Sequence, residues 1–171
     1  MIVGQPGAGK SYLARKLGNG LNLPVVHIDK IHYLPGWVDR PNDEKDRLCA
    51  EVHASDEWIF EGGRSNTWPE RLRRADVLIW LDFPIGVRSW RVFWRTLHYL
   101  GKSRPDLQEG CPDRFSWEFT HWIWRTRNTS RLKILKFYES ADSGKLKIRL
   151  QTHAEVSALL AAIKVAPHPA V

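Results

Sequence analysis

The chain has very little cysteine: only Cys49 and Cys111 occur among its 171 residues. Two cysteines so far apart suggest neither a disulfide framework nor a zinc site. The simplest expectation is a pair of reduced thiols in an intracellular protein. The seven histidines show no metal-ligating pattern, and the sequence therefore gives them no role.

Long apolar runs are also missing, since none approaches the roughly 18 residues that a membrane-spanning helix needs. The chain does not open with a charged segment followed by an apolar stretch, as a secretory signal would. We therefore expect a soluble, cytoplasmic protein without membrane contact. Hydrophobic residues make up 43% and charged residues 26% of the chain, which is close to globular averages and argues against disorder. The length predicts one domain over 1–171.

Positive charge is in excess, because 26 Lys and Arg residues face 19 Asp and Glu residues and give a net charge of +7. Such an excess favours an anionic partner, whether a nucleotide, a phosphorylated substrate or a nucleic acid. The nine tryptophans are the second departure from average composition.

The most informative segment reads GQPGAGKS and begins at Gly4. It fits Gly, any four residues, Gly, Lys and then Ser or Thr, the pattern of a phosphate-binding loop. Glycines let the backbone pass close to a polyphosphate, Lys10 can reach the β and γ phosphates, and Ser11 can ligate Mg²⁺. The flanking sequence reads as a strand before the loop and a helix after it. The predicted ATP contacts are Gly4, Pro6, Gly7, Ala8, Gly9, Lys10, Ser11 and Tyr12.

Strands alternate with helices along the rest of the chain. Strands are predicted at 23–29, 58–61, 76–82 and 146–150, and helices at 11–17, from Asn42, from Thr67, at 85–99, from Ser116 and at 152–163. The run 18–20 is expected to end the first helix, and Thr67–Glu70 and Thr152–Glu155 have capping-box spacing. This order predicts a doubly wound α/β fold with about five parallel strands, helices on both faces and ligands at the carboxyl ends of the strands.

Three carboxylates, Asp29, Glu61 and Asp82, are predicted to end strands at that edge. Glu61 can organise a Mg²⁺ shell, and Asp29 can hold or deprotonate a substrate hydroxyl. Asp82 is interpreted as a helix cap. For any one of them alone, a cap or a salt bridge is an equally good interpretation.

Arginines recur on one face of the helix predicted at 85–99, at positions 88, 91 and 95. Further arginines follow at 104, 114, 125, 127 and 131. They are either a solvated basic face or the electrostatic stabilisation that phosphoryl transfer needs. Aromatic residues at 115, 117, 119, 122 and 124 are interpreted mainly as core packing, with base stacking as the alternative.

These segments together resemble the adenylate kinase-like phosphate-loop kinases and, more closely, the small bacterial topology modulation proteins. The resemblance covers nearly the whole chain. It is carried by Gly4–Ser11, His27-Ile28-Asp29, Pro35-Gly36-Trp37, Glu61-Gly62-Gly63, Trp90-Arg91 with Arg95, Arg104-Pro105-Asp106 and Glu109-Gly110-Cys111-Pro112.

In adenylate kinase relatives an acidic residue followed by Gly supports Mg²⁺, and Glu61-Gly62 matches that position. Arg91 and Arg95 match two arginines that grip nucleotide phosphates there, which ranks them above Arg88. The closer family has Asp-Gly-Asn-Tyr where this chain has Glu61-Gly62-Gly63-Arg64, so the acceptor pocket is expected to be altered. The lid, expected around 101–131, lacks the four cysteines of zinc-bearing adenylate kinases.

The resemblance and the residues together predict an ATP-dependent, Mg²⁺-requiring phosphotransferase with a closing lid. Its predicted catalytic residues are Lys10, Arg91, Arg95 and Asp29. Arg104 and Arg131 are expected to contact the nucleotide, Ser11 and Glu61 the metal, and Asp29, Gly62, Gly63 and Arg64 the acceptor. That acceptor is a small molecule, either a nucleoside or nucleotide or a hydroxylated metabolite. The alternative is a nucleic-acid-associated regulator that uses ATP as a switch, disfavoured because no nucleic-acid motif is recognised.

Overall fold

The computed structural model describes residues 1–165. Its strands are β1 (Ile2–Gly4), β2 (Val25–His27), β3 (Tyr33–Leu34), β4 (Val38–Asp39), β5 (Ile59–Glu61), β6 (Val77–Leu81) and β7 (Leu146–Leu150). Its helices are α1 (Lys10–Leu21), α2 (Ile28–His32), α3 (Asn42–Ala54), α4 (Trp68–Arg74), α5 (Ile85–His98), α6 (Trp117–Arg125), α7 (Arg127–Ser140) and α8 (His153–Val165). None of the helices in this part of the chain has the length and apolar character needed to traverse a bilayer.

Five of the strands form one parallel sheet in the order β2-β5-β1-β6-β7. Strand β1 lies at its centre, where Ile2 is paired with Glu61 of β5 and with Ile79 of β6. Helices cover both faces, so the predicted doubly wound α/β fold with about five strands is confirmed. The remaining pair, β3 and β4, forms a small antiparallel hairpin that the sequence indicated only as a turn-rich segment.

Strand β6 shows how the sheet divides the core into two layers. Ile79 and Leu81 pack on one side with Leu13 of α1 and with α8, whereas Leu78 and Trp80 pack on the other side with α4 and α7. Side chains alternate between the faces of a strand, so a continuous apolar run fills both layers. The phosphate-loop motif follows the central strand and therefore emerges in the middle of the sheet edge.

The prediction that the run 18–20 ends the first helix was wrong, because α1 continues to Leu21. A Cβ at Gly18 would lie 2.3 Å from Cγ2 of Val25 and 3.0 Å from the carbonyl oxygen of Leu23. Gly18 is thus a site of close approach between the helix and the following strand, and not a helix breaker.

Of the two predicted capping boxes, one is formed. At the start of α8 the Glu155 amide donates to Thr152 Oγ1 at 3.2 Å, and the Thr152 amide donates to Glu155 Oε2 at 2.9 Å. Helix α4 begins where expected, but the box there is absent. Thr67 Oγ1 donates to the Arg64 carbonyl instead, while Glu70 pairs with two arginines of its own helix.

Candidate functional site

The loop between β1 and α1 is held in place by arginines from α5. Gly7 has a φ of 77°, and a Cβ there would lie 2.4 Å from the carbonyl oxygen of Arg88, so only glycine fits. The buried Arg88 donates from Nη1 to the Pro6 carbonyl at 3.2 Å, and Arg91 donates from Nη1 to the Ala8 carbonyl at 2.9 Å. These bonds fix the loop backbone over the helix face that carries the arginines.

Helix α1 presents an uncapped N-terminus to the loop. Gly9 is the N-cap residue and offers no side-chain bond, and the first turn carries no acidic residue. The first amides of a helix have no acceptor within it, and the helix dipole makes that end positive. Lys10 donates from Nζ to the Gln5 carbonyl at 3.3 Å and so lies beside the same loop. The arrangement is one that binds anions.

Glu61 ends β5 and is buried at the centre of a hydrogen-bonded group. Its Oε1 accepts from Ser11 Oγ at 3.0 Å and lies 2.7 Å from Nδ1 of His27. His27 is the register partner of Glu61 on the neighbouring strand β2, and it is buried as well. No role for His27 was predicted from the sequence. The contact between His27 and Glu61 could have been inferred from their positions, because both residues end adjacent parallel strands.

Asp29 lies two residues beyond the end of β2, in the first turn of α2, and not at a strand end as predicted. Burial is the main cause that raises the pKa of its carboxyl group, and the nearby charge of Glu61 adds to this. Lys10 and Arg104 oppose the shift without cancelling it. Asp29 is therefore a carboxylate that holds a proton more readily than usual, which suits it to accept one from a hydroxyl group.

Arginines and aspartates from the segment after α5 form an ion-pair cluster facing α1. Arg104 Nε lies 3.1 Å from Asp113 Oδ2, and Arg104 Nη1 lies 3.2 Å from Asp106 Oδ2. Arg95 and Arg15 extend the cluster from α5 and α1. Burial opposes ionisation of Asp106, but the Arg104 charge holds the pKa of that carboxyl below its usual value.

Three guanidinium nitrogens of this cluster are buried and face aspartate oxygens without a well-aligned hydrogen bond: Arg15 Nη1 at 3.6 Å, Arg95 Nε at 3.9 Å and Arg104 Nε at 3.1 Å. The aspartates therefore neutralise these guanidinium groups but satisfy their donors only in part. Together with the uncapped helix the guanidinium groups fit a polyphosphate. The oxygen atoms of Ser11, Glu61 and Asp29 are the donor type that Mg²⁺ prefers.

The segment after α5 is fastened to the hairpin of β3 and β4. The Gly36 amide donates to the Gly110 carbonyl at 2.8 Å, and Trp37 Nε1 donates to the Pro112 carbonyl at 2.9 Å. Cys111 Sγ donates to the Leu34 carbonyl at 3.3 Å. These contacts hold residues 99–116, here called the roof, across the carboxyl ends of the strands.

A cavity of about 1180 Å³ lies between this roof and the loop that joins β1 to α1. It brings together most of the residues that the sequence selected: Gly4, Pro6, Gly7, Gly9, Lys10, Ser11, Tyr12, Asp29, Glu61, Gly62, Gly63, Arg64, Arg91, Arg95 and Arg104. Ala8 is buried behind the loop. Arg64 bonds to Asp46 of α3 through Nε at 3.0 Å, so α3 holds its guanidinium group.

Arg131 does not line this cavity. It forms a two-point ion pair with Asp82, at 2.7 Å from Nε to Oδ1 and 2.8 Å from Nη2 to Oδ2. Arg149 pairs with the same carboxylate, and the pKa of Asp82 is lowered by these arginines although burial opposes the shift. The interpretation of Asp82 as a helix cap was wrong, because Pro84 occupies the N-cap of α5.

The aromatic residues of α6 and the turn before it are not core residues, which corrects the favoured interpretation. Only Ile123 of this helix is buried. The side chains of Phe115, Trp117, Phe119, Trp122 and Trp124 are between 38% and 75% exposed and line the cavity opposite the phosphate loop. Hydrophobicity alone did not predict the exposure of these rings. The core is filled by residues from the sheet and its covering helices, so the aromatic side chains of α6 lie outside it.

The fold defines the class as α/β with a doubly wound parallel sheet. No protein-family model matches the chain, and no curated protein matches it. Among solved structures the chain is similar to the crystal structure of an uncharacterized protein from Eubacterium ventriosum ATCC 27560. The TM-score is 0.51 and the identity 14%, over 96% of this chain and 97% of that chain. At this identity the similarity concerns the fold alone.

Proposed function

We propose that the protein is an ATP-dependent, Mg²⁺-requiring phosphotransferase that acts on a hydroxyl-bearing acceptor. The observation that carries the proposal is the position of the loop Gly4–Ser11. It joins the central strand to an uncapped helix, and it opens into the same cavity as four carboxylates and six arginines. Anion-binding backbone, cations and carboxylates at one sheet edge are the parts that phosphoryl transfer needs.

In this proposal the loop amides and Lys10 hold the β and γ phosphates of ATP, and Arg95 of α5 and Arg104 of the roof contact them. Mg²⁺, when bound, neutralises charge on the phosphates. Ser11 and Glu61 are the residues that would hold it, with Glu61 acting directly or through water. His27 fixes the Glu61 carboxylate from behind, so His27 is a positioning residue.

Asp29 is the proposed base for the acceptor. Its carboxylate orients the acceptor hydroxyl and takes its proton as the hydroxyl oxygen bonds to the γ phosphorus and the bond to ADP breaks. The raised pKa of Asp29 supports this role because it brings proton affinity closer to that of a working base at neutral pH. In this proposal the roof closes over bound ATP and shields it from water, which would limit its hydrolysis.

The test is turnover of Mg²⁺-ATP by the purified protein against nucleosides, nucleoside monophosphates and hydroxylated metabolites, with ADP formation as the readout. The expected result is ADP release that depends on one acceptor class. Tight ATP binding without stimulation by any acceptor would overturn the phosphotransferase and favour the nucleotide-switched regulator.

A further inference from the structure

The exposed rings at 115, 117, 119, 122 and 124 all line the cavity and are here called the aromatic wall. Two pairs of rings within it are in contact, Phe115 with Trp117 and Phe119 with Trp122. Trp117 is 75% exposed and Trp124 is 56% exposed, although large aromatic side chains normally lie in the core or at interfaces. Contiguous exposed apolar patches mark sites of interaction. The wall therefore requires a partner, and its surroundings indicate which kind.

The first indication is the place of the wall. It lines the same cavity as the phosphate loop, and that cavity, at about 1180 Å³, exceeds the roughly 300–1,000 Å³ of common ligand pockets. A nucleotide on the loop thus leaves room for a second group at the wall. The rings of Phe119 and Trp122 are stacked, with centroids 5.9 Å apart and planes 18° from parallel, so they present flat faces.

The second indication is charge. Between residues 114 and 136 the only carboxylate is Glu118, whereas the cations apart from Arg131, which pairs with Asp82, are Arg114, Arg125, Arg127, Lys133 and Lys136. The Arg127 guanidinium lies over the Trp124 ring, 4.4 Å from its centroid. Lys133 and Arg114 line the cavity beside the wall. Flat aromatic faces among cations are the features that bind the bases and the backbone phosphates of a single strand.

We infer that the aromatic wall binds single-stranded nucleic acid, with unpaired bases stacked on the rings and backbone phosphates held by the neighbouring cations. A duplex does not suit the site because its bases are already stacked and paired. An acidic lipid surface also attracts basic aromatic helices. The wall lines a concave cavity, however, and a flat bilayer cannot enter it. The site is independent of phosphotransfer, since it needs neither ATP nor the proposed base.

The test uses a fluorescein-labelled oligothymidylate of about 15 nucleotides, which covers the site size of common single-strand binders. Its affinity is measured by fluorescence anisotropy, without ATP, for the wild type and two double variants. W117A/W122A removes two rings of the wall. W90A/W94A is the matched control, because Trp90 and Trp94 are exposed on α5 but do not line the cavity.

The expected result is a loss of affinity of at least tenfold for W117A/W122A and less than twofold for W90A/W94A, because only the first variant removes rings on which bases can stack in the cavity. Affinity should also fall steeply with added salt. Equal losses in the two variants, no binding by the wild type, or binding of phosphatidylserine vesicles in place of the oligonucleotide would each overturn the inference. Because ATP is absent, none of these results bears on phosphotransfer.

Discussion

The two walls of the cavity are built differently. On the side of the β1–α1 loop the backbone and Glu61 are held by neighbouring side chains: Arg88 and Arg91 bond the loop carbonyls, and Ser11 and His27 bond Glu61. On the roof side buried guanidinium groups pair with aspartates without well-aligned hydrogen bonds, and large rings face solvent. The first side is organised before any ligand arrives. The second side has groups that a ligand would complete.

The largest effect is expected at Lys10. Lys10→Ala should lower phosphotransfer by about 10²–10³-fold, because it removes a cation from the transferred phosphoryl group. The thermal midpoint should change little, since Lys10 makes one long bond of 3.3 Å to a backbone carbonyl. Steady-state turnover and a thermal melt on the same preparation check both statements. Retained turnover would show that the loop takes no part in the chemistry.

Arg88 tests whether the loop side is structural. Arg88→Ala should destabilise the fold by about 1–3 kcal/mol, because it leaves the carbonyls of Pro6 and Phe83 without their donor. Urea denaturation measures this, and Arg73→Ala is the control, since the exposed Arg73 should matter by less than about 0.5 kcal/mol. Equal stability of the two variants would contradict the role of Arg88 in holding the loop.

His27 tests positioning. His27→Phe should raise the Mg²⁺ concentration needed for half-maximal turnover by about tenfold, as removal of a group behind a metal ligand commonly does. The affinity for ATP measured without Mg²⁺ should stay within about twofold. A second variant, His27→Gln, keeps a side-chain amide toward Glu61 and should restore part of the Mg²⁺ response. An equal loss of both affinities would point to a folding defect and contradict the assignment.

Replacement of Asp29 is expected to have the smallest effect on stability, and the sign of its pH dependence follows from the raised pKa of the carboxyl group. Its pKa is higher in the folded than in the unfolded protein, so the folded state binds the proton more tightly. The resulting stabilisation is present below the usual carboxyl pKa, near 4, and is lost as pH rises through the raised value. Asp29→Asn should therefore raise the thermal midpoint at pH 7, by about 2–4 °C per kcal/mol, and change it little at pH 3.

The same variant separates acceptor use from ATP binding. Asp29→Asn should impair acceptor use much more than ATP binding, because Asn keeps the shape but cannot take the proton. Acceptor-dependent turnover and ATP affinity are the two measurements. Equal loss of both would contradict the role of Asp29 as base.

Much of the fold was predicted from local patterns because its strands are continuous apolar runs and its turns are marked by glycine, proline and capping residues. The strand Val77–Leu81 and the box at Thr152 are examples. Gly18 was misjudged because its reason is a tertiary contact with Val25, which no local window contains. Asp82 was misjudged because its partners Arg131 and Arg149 are distant in the chain.

The sequence by itself determined the α/β class, the position of the loop and the set of residues near it, because chain order and strand direction place all strand ends on one edge. Only the tertiary structure decided which groups are paired and which are free. It placed His27 against Glu61, removed Arg131 from the cavity and left the α6 aromatics exposed. Pairing and burial depend on distances between segments that are far apart in the chain, and those distances cannot be inferred from any local stretch of sequence.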